Sequence, residues 1–299
     1  MAAAVSPTAS LGGFEAKFID VDGIRTRYYD VGEGEPMVLC HGHGWDGSAG
    51  ANAWTLNIGG LAKRGFRVIA ADKLGSGMTD NPKTDDGFTI QNQVAHMWGL
   101  VEALGLKTVH MVGQSRGGYL AGRLTLEHQD RVKTLTVVDS ATLAPLVGDP
   151  HRRDKLLEGS PTDVREELVF RWTKLSYKPE HLTPEYIDTA VWLEMQPKAQ
   201  ETKRRWKAGG EALFNRSLAE QKEETLRRIG AGELQLPTLL YWGRKDRSAI
   251  LGCGLQLFDL IAEHNPRARM YIMSDAGHFH FREYPEEFNR VVADFASSW

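Results

Sequence analysis

Cysteine is nearly absent from this 299-residue sequence. The two present, Cys40 and Cys253, are far apart and show no CxxC or His-rich spacing, which argues against both a disulfide framework and a zinc site. No run approaches the ~18 consecutive apolar residues that a membrane helix needs. Charge of one sign is also lacking. With 36 Lys+Arg against 39 Asp+Glu the net charge is -3, too even to form a footprint for nucleic acid or an anionic membrane. A small-molecule partner is therefore expected, with no nucleic acid, no membrane, no metal and no cofactor. The opening "MAAAVSPTASLGG" has neither a basic n-region nor an apolar h-region, so residues 1–13 are read as a flexible N-terminus and the protein as cytoplasmic.

What is present is an alternation. "PMVLC", "FRVIAAD", "TVHMVGQ", "KTLTVVDS", "PTLLYWG" and "ARMYIMSD" are short apolar runs without polar alternation, as in strands buried on both faces. Helical stretches separate them, including 91–104, 117–128, 255–264 and 285–297. This predicts an α/β fold with a mainly parallel central sheet and helices on both faces. "FIDVDGIRTRYY" around Asp22-Gly23 predicts an antiparallel hairpin ahead of it. Between about Leu143 and Gly232 the strand pattern stops. "PTDVREELVFRWTKLSY", "TPEYIDTAVWLEMQ" and "AQETKRRWKAGGEALFNRSLAEQKEETLRRI" each suit an amphipathic helix, with Thr162 and Thr183 as N-caps. The domain reading is a core of 14–142 and 233–299 with a helical cap, 143–232, inserted between them.

The pentapeptide Gly113-Gln114-Ser115-Arg116-Gly117 falls between a strand and a small-residue helix. Glycines on either side of a serine permit a turn tight enough to push its Oγ clear of the sheet. Such a serine needs a base and the base needs a carboxylate. His278, in "SDAGHFHF", and Asp246, after "PTLLYWGRKD", both follow strand patterns and preserve the order serine, acid, histidine. His280 is the alternative base, although a loop or surface position is expected for it. The amide of Arg116 is one expected oxyanion donor. The second is expected from "HGHG", with the His43 amide first and that of Gly44 next.

On "NIGGLAKRGFRVIAADKLGSGMTD", "GQSRGGYLAGRLTLEHQDRV", "YWGRKDR" and "AGHFHFREYPEEFNRVVADF" the chain resembles the α/β-hydrolase superfamily from about Phe14 to Trp299. Within it the chain is most similar to the meta-cleavage product hydrolases, which break carbon–carbon bonds, and to the monoalkyl phthalate esterases that resemble them. The resemblance implies a cofactor-free serine hydrolase, and the family's habit of assembling leaves a homo-oligomer open. It also implies substrate contacts at three positions where this chain departs: Gln114 for an asparagine before the nucleophile, Phe279 for a tryptophan after the histidine, and Met195 for a cap arginine that holds a carboxylate. Arg204, Arg205 or Arg171 are alternatives for that arginine. Trp172 and Trp192, with Trp206 and Phe214, are candidates for the acyl pocket, though packing is the ordinary role of such residues. These departures make a carboxylic ester, such as a monoester keeping a free carboxylate, the leading expectation. Carbon–carbon hydrolysis of a hydroxy-oxo-dienoate is the alternative, and a non-catalytic ligand receptor is the remote one.

Overall fold

A computed structural model describes residues 11–43, 45 and 47–299. Most of the expected N-terminal segment, and the Gly44 amide, lie outside the described residues. Eight strands form one sheet: β1 (Lys17–Val21), β2 (Ile24–Val31), β3 (Glu35–Cys40), β4 (Phe66–Ala71), β5 (Val109–Gln114), β6 (Val132–Val138), β7 (Thr238–Gly243) and β8 (Ala268–Met273). Their spatial order is β1-β2-β4-β3-β5-β6-β7-β8. β2 pairs antiparallel with both β1 and β4, and every later pairing is parallel. The β1–β2 turn has positive φ at Asp22 and Gly23 (52° and 78°), as a tight hairpin requires.

The central strands are buried on both faces because helices cover both. In β3, Val38 and Cys40 join one apolar cluster while Met37 and Leu39 join the other, the two-residue period of a strand. The first cluster is closed by α2 (Ile90–Ala103), α3 (Arg116–Glu127) and α9 (Leu251–Ala262), the second by α1 (Ile58–Ala62) and α11 (Pro285–Ser297). β8 departs from the expectation of a strand buried on both faces. It is the edge, and Ile272 is 41% exposed.

The segment between β6 and β7 holds α4 (Arg152–Leu156), α5 (Val164–Leu175), α6 (Pro184–Glu194), α7 (Pro197–Arg205) and α8 (Glu211–Gly230); α10 (His280–Glu283) follows β8. Thr183 caps α6 by accepting from the Tyr186 amide (3.3 Å). For α5 the cap is Asp163 and not Thr162, its carboxylate accepting from the Glu166 amide (3.0 Å). The expected single helix through "RRWKAGGEAL" is broken at Trp206–Gly210, where Gly209 takes φ 139°. No helix among the described residues is long and apolar enough to cross a membrane.

Candidate active site

The fold brings Ser115 to the junction of β5 and α3 with φ 54° and ψ −121°. A non-glycine residue there is strained by roughly 1–3 kcal/mol, so its surroundings must impose the conformation. They do. The Ser115 amide donates to the Val138 carbonyl (2.8 Å), and Ser140 Oγ donates to the Ser115 carbonyl. The helix also crosses β3 very closely: a Cβ on Gly117 would stand 2.2 Å from the Cys40 carbonyl oxygen. A Cβ on Gly113 would in turn stand 2.1 Å from the Gly117 carbonyl oxygen, so both flanking glycines are required by space.

His278 lies in the loop after β8 and Asp246 in the loop after β7. His278 Nδ1 donates to Asp246 Oδ2 at 2.6 Å, while Asp246 Oδ1 accepts from the amides of Ser248 (2.7 Å) and Ala249 (2.9 Å). The carboxylate is thus oriented by backbone and orients the ring, leaving Nε2 for proton exchange. Burial pulls the imidazolium down, but the charge and hydrogen bond of Asp246 outweigh it, and the pKa is raised above the ordinary 6.5. A base must be neutral to accept a proton. The acid limb of kcat/KM is therefore expected above pH 6.5. A pH–rate profile checks this, and full activity well below that pH would contradict a basic role for His278.

A second acid–imidazole contact, which the sequence reading missed, lies directly behind this one. Asp139, at the end of β6, accepts from the Gly243 amide through Oδ1 (2.9 Å), and its Oδ2 is 2.8 Å from His280 Nε2. Both side chains are fully buried, so the surface position expected for His280 is corrected: its ring packs against Tyr241 and Phe288 inside the core. Burial, reinforced by the charge of Asp246, raises the Asp139 carboxyl well above the usual carboxylate range. Burial also lowers His280 to about 4. At neutral pH His280 is therefore a neutral ring, and it faces a carboxyl whose hold on its proton is strengthened by burial. Ligand-capable atoms of Asp139, Asp246 and His278 lie within 4.8 Å of one another, and hydrogen bonding already accounts for the Asp246–His278 contact.

The loop after β3 is held from below. Lys73 Nζ donates to the His43 carbonyl (2.6 Å), and the Lys73 amide donates to His41 Nε2 (3.1 Å). His43 has φ 59° and lines the same cavity as Ser115, Arg116 and His278. Arg116 is the first residue of α3, so its N–H stands outside that helix's own i→i−4 ladder, where an oxyanion donor is needed. The cavity measures about 620 Å³, and Trp45 and Trp206 form its aromatic wall.

The expected substrate contacts fare differently from the serine, histidine and aspartate. Gln114 is buried and its Nε2 donates to the His278 carbonyl (3.1 Å), so it ties the serine turn to the histidine loop and does not line the cavity. Phe279 is buried against His43, His181 and His278, behind the wall. Trp172 packs on Tyr186, and Trp192 lies outside the cavity lining. Met195 is 57% exposed: α6 turns Ile187, Ala190 and Leu193 inward, and Met195 follows on the outer side. Of the alternatives for the arginine, Arg171 lines the cavity, whereas Arg204 pairs with Glu201 and Arg205 with Asp85 outside it. Phe214 is fully buried, with the Arg116 guanidinium 5.4 Å from its ring centroid.

Comparison with known proteins identifies the fold family. The sequence pattern of the alpha/beta hydrolase fold matches residues 35–285. A 2-hydroxy-6-oxononadienedioate/2-hydroxy-6-oxononatrienedioate hydrolase of Paraburkholderia xenovorans is 30% identical over 289 residues, covering 94% of each chain. A 2-hydroxy-6-oxo-6-phenylhexa-2,4-dienoate hydrolase of Comamonas testosteroni is 30% identical over 285 residues, covering 92% of each. Among solved structures, a meta-cleavage product hydrolase from Pseudomonas fluorescens superposes with a TM-score of 0.77 at 27% identity, over 94% of this chain and 97% of that one. The chain belongs to the α/β-hydrolase fold family, is a hydrolase of that type, and has the meta-cleavage product hydrolases as its relatives.

Proposed function

We propose that the protein hydrolyses the carbon–carbon bond beside the ketone of a 2-hydroxy-6-oxo-dienoate. The observation that carries this is the pair of 30%-identical relatives named for that reaction, matched over more than nine-tenths of each chain. It reverses the order of the two readings drawn from sequence, in which the departures at Gln114, Phe279 and Met195 favoured an ester. Two of those departures lose their force in the fold, because Gln114 and Phe279 do not line the cavity.

In this reading His278 first helps to move the dienol proton onto carbon, giving a ketone flanked by a carbon that can leave as a stabilised dienolate. Ser115 Oγ then attacks the 6-oxo carbon while His278 Nε2 takes its proton. The Arg116 and His43 amides hold the oxyanion. Collapse breaks the carbon–carbon bond, the proton held by His278 passes to the departing dienolate, which leaves as the hydroxydienoate, and an acyl-serine remains beside a neutral imidazole. Water, deprotonated by His278, releases the acyl group as a carboxylic acid. The sum is substrate plus one water giving a hydroxydienoate and one acid.

An ester monoacid remains the second reading, supported by the exposed Met195, which leaves the cap without an arginine at the carboxylate-holding position implied by the resemblance. Turnover of a phenyl-substituted hydroxy-oxo-dienoate and of a monoalkyl phthalate, measured side by side, tests both. The dienoate is expected to show a kcat/KM roughly 100-fold or more above the phthalate. Efficient phthalate hydrolysis with the dienoate untouched would replace the carbon–carbon reading with the ester one.

A further inference from the structure

A cation in a catalytic cavity is either answered by a carboxylate of the protein or left for one on the substrate. Several charged groups lining this cavity are answered. Lys203 pairs with Glu194, Arg171 with Glu167 (3.4 Å), and Asp149 with Lys155 (2.8 Å). Two others are held by backbone carbonyls instead. Lys222, on α8, donates to the Ala141 carbonyl (3.1 Å), and Arg152, at the start of α4, donates to the Val147 carbonyl (2.8 Å). Among the described residues neither has a carboxylate within ion-pair distance.

The two approach one place. The charges of both act on the thiol of Cys253, in the first turn of α9. Arg152, Lys222, Ala141, Val147 and Cys253 all line the cavity that Ser115 and His278 share. The thiol is not the missing anion, since burial raises its pKa and keeps it neutral. Lys222 is half-buried, and desolvation holds its ammonium below the ordinary lysine value, as expected of a charge with no opposing carboxylate. Each of these bonds to a backbone carbonyl uses only one donor hydrogen. Both the ammonium and the guanidinium fork keep further N–H groups to offer.

We propose that Lys222 and Arg152 form the carboxylate-binding subsite of this cavity, receiving the acid group of the substrate from the β6–α4 and α8 side and not from the position of Met195. The ligand class is a carboxylate whose second oxygen can bridge an ammonium and a guanidinium. This inference rests on the dienoate reading for the identity of the substrate, but the subsite itself is a claim about binding an anion.

The test uses the full-length Ser115→Ala protein, which cannot form the acyl-serine, and reads ligand binding by tryptophan fluorescence, Trp45 and Trp206 being in the cavity wall. The ligands are the phenyl-substituted hydroxy-oxo-dienoate and its primary carboxamide. The carboxylate is expected to bind more tightly than the carboxamide. Adding Lys222→Met or Arg152→Gln is expected to weaken the carboxylate roughly 10- to 100-fold, the value of a lost charge-assisted hydrogen bond, and to leave the carboxamide nearly unchanged. Lys222→Arg is expected to recover most of the loss. Equal binding of the two ligands by the parent, or equal weakening of both by the variants, would overturn the subsite. Arg152→Gln alters a half-buried side chain at a helix start and so keeps the test open should Lys222→Met fold poorly. Turnover by the wild type separates the two claims. Lys222-dependent binding without dienoate cleavage would remove the proposed reaction and keep the subsite, and cleavage without dependence on either cation would do the reverse. Absence of binding by either ligand would remove both.

Discussion

Ser115→Ala is expected to lower kcat on a hydroxy-oxo-dienoate by between about 10⁴- and 10⁶-fold while leaving the dissociation constant of that substrate within a few-fold of the wild-type value. The asymmetry follows from where the serine acts. Its Oγ makes a bond only as the reaction proceeds, whereas binding depends on the cavity walls and on cations that the substitution does not touch. In the proposed mechanism Ser115, His278 and Asp246 act as one unit, since proton removal is useless without the nucleophile and the nucleophile is inert without the base. Removing His278 from the Ser115→Ala protein is therefore expected to cost almost nothing further in the bond-breaking step, while the earlier proton transfer to carbon, which His278 serves without Ser115, should slow; a near-multiplicative loss in bond breaking itself would show that the two do not act together there. Rapid-mixing kinetics with the single and double variants makes the measurement. Labelling by a fluorophosphonate supplies a substrate-free check: an activated Ser115 reacts, and the serine of a mere ligand receptor does not.

The same triad shows what a sequence can and cannot display. Ser115, Asp246 and His278 are legible because each lies just past the C-terminal end of an apolar strand, directly for Ser115 and within a short loop for the other two, and strand ends on one edge of a parallel sheet converge in space whatever their separation in sequence. Asp139 meets the same criterion, in "VVDS" after β6, yet its partner His280 is distant in sequence and only the fold joins them. A reading that admitted every carboxylate at a strand end would have found it. The cap was less legible for a physical reason. Periodicity says that α6 has an apolar side but not how far it is rotated toward the cavity, and Met195 and Trp192 were misplaced by that rotation. Lys222 and Arg152 carry no local signal either, because an unanswered cation is defined by which carboxylates are missing around it.

Asp72→Ala is expected to destabilise the protein by about 3–5 kcal/mol, the cost of leaving a buried charge without its partner. Asp72 and Arg27 are both buried, with Arg27 Nη1 at 3.2 Å from Asp72 Oδ1. The same carboxylate accepts from the amides of Ala51 (2.6 Å) and Met78 (2.8 Å), while Arg27 Nη2 also donates to Asn52 Oδ1 (2.8 Å). These bonds fasten the stretch after β3, which carries His43 toward the cavity, to the end of β4. The loss should therefore appear twice: as a lower denaturation midpoint at unchanged slope, and as a fall in kcat with the surviving folded protein, because the His43 amide no longer stands where the oxyanion forms. Replacing both partners, as Arg27→Met with Asp72→Leu, removes the unpaired charge and should recover much of the stability, but it restores neither the Ala51 nor the Met78 acceptor and so should not recover the rate. Recovery of rate together with stability would mean that the network merely fills the core, whereas recovery of stability alone would make Asp72 a positioning residue for the catalytic loop.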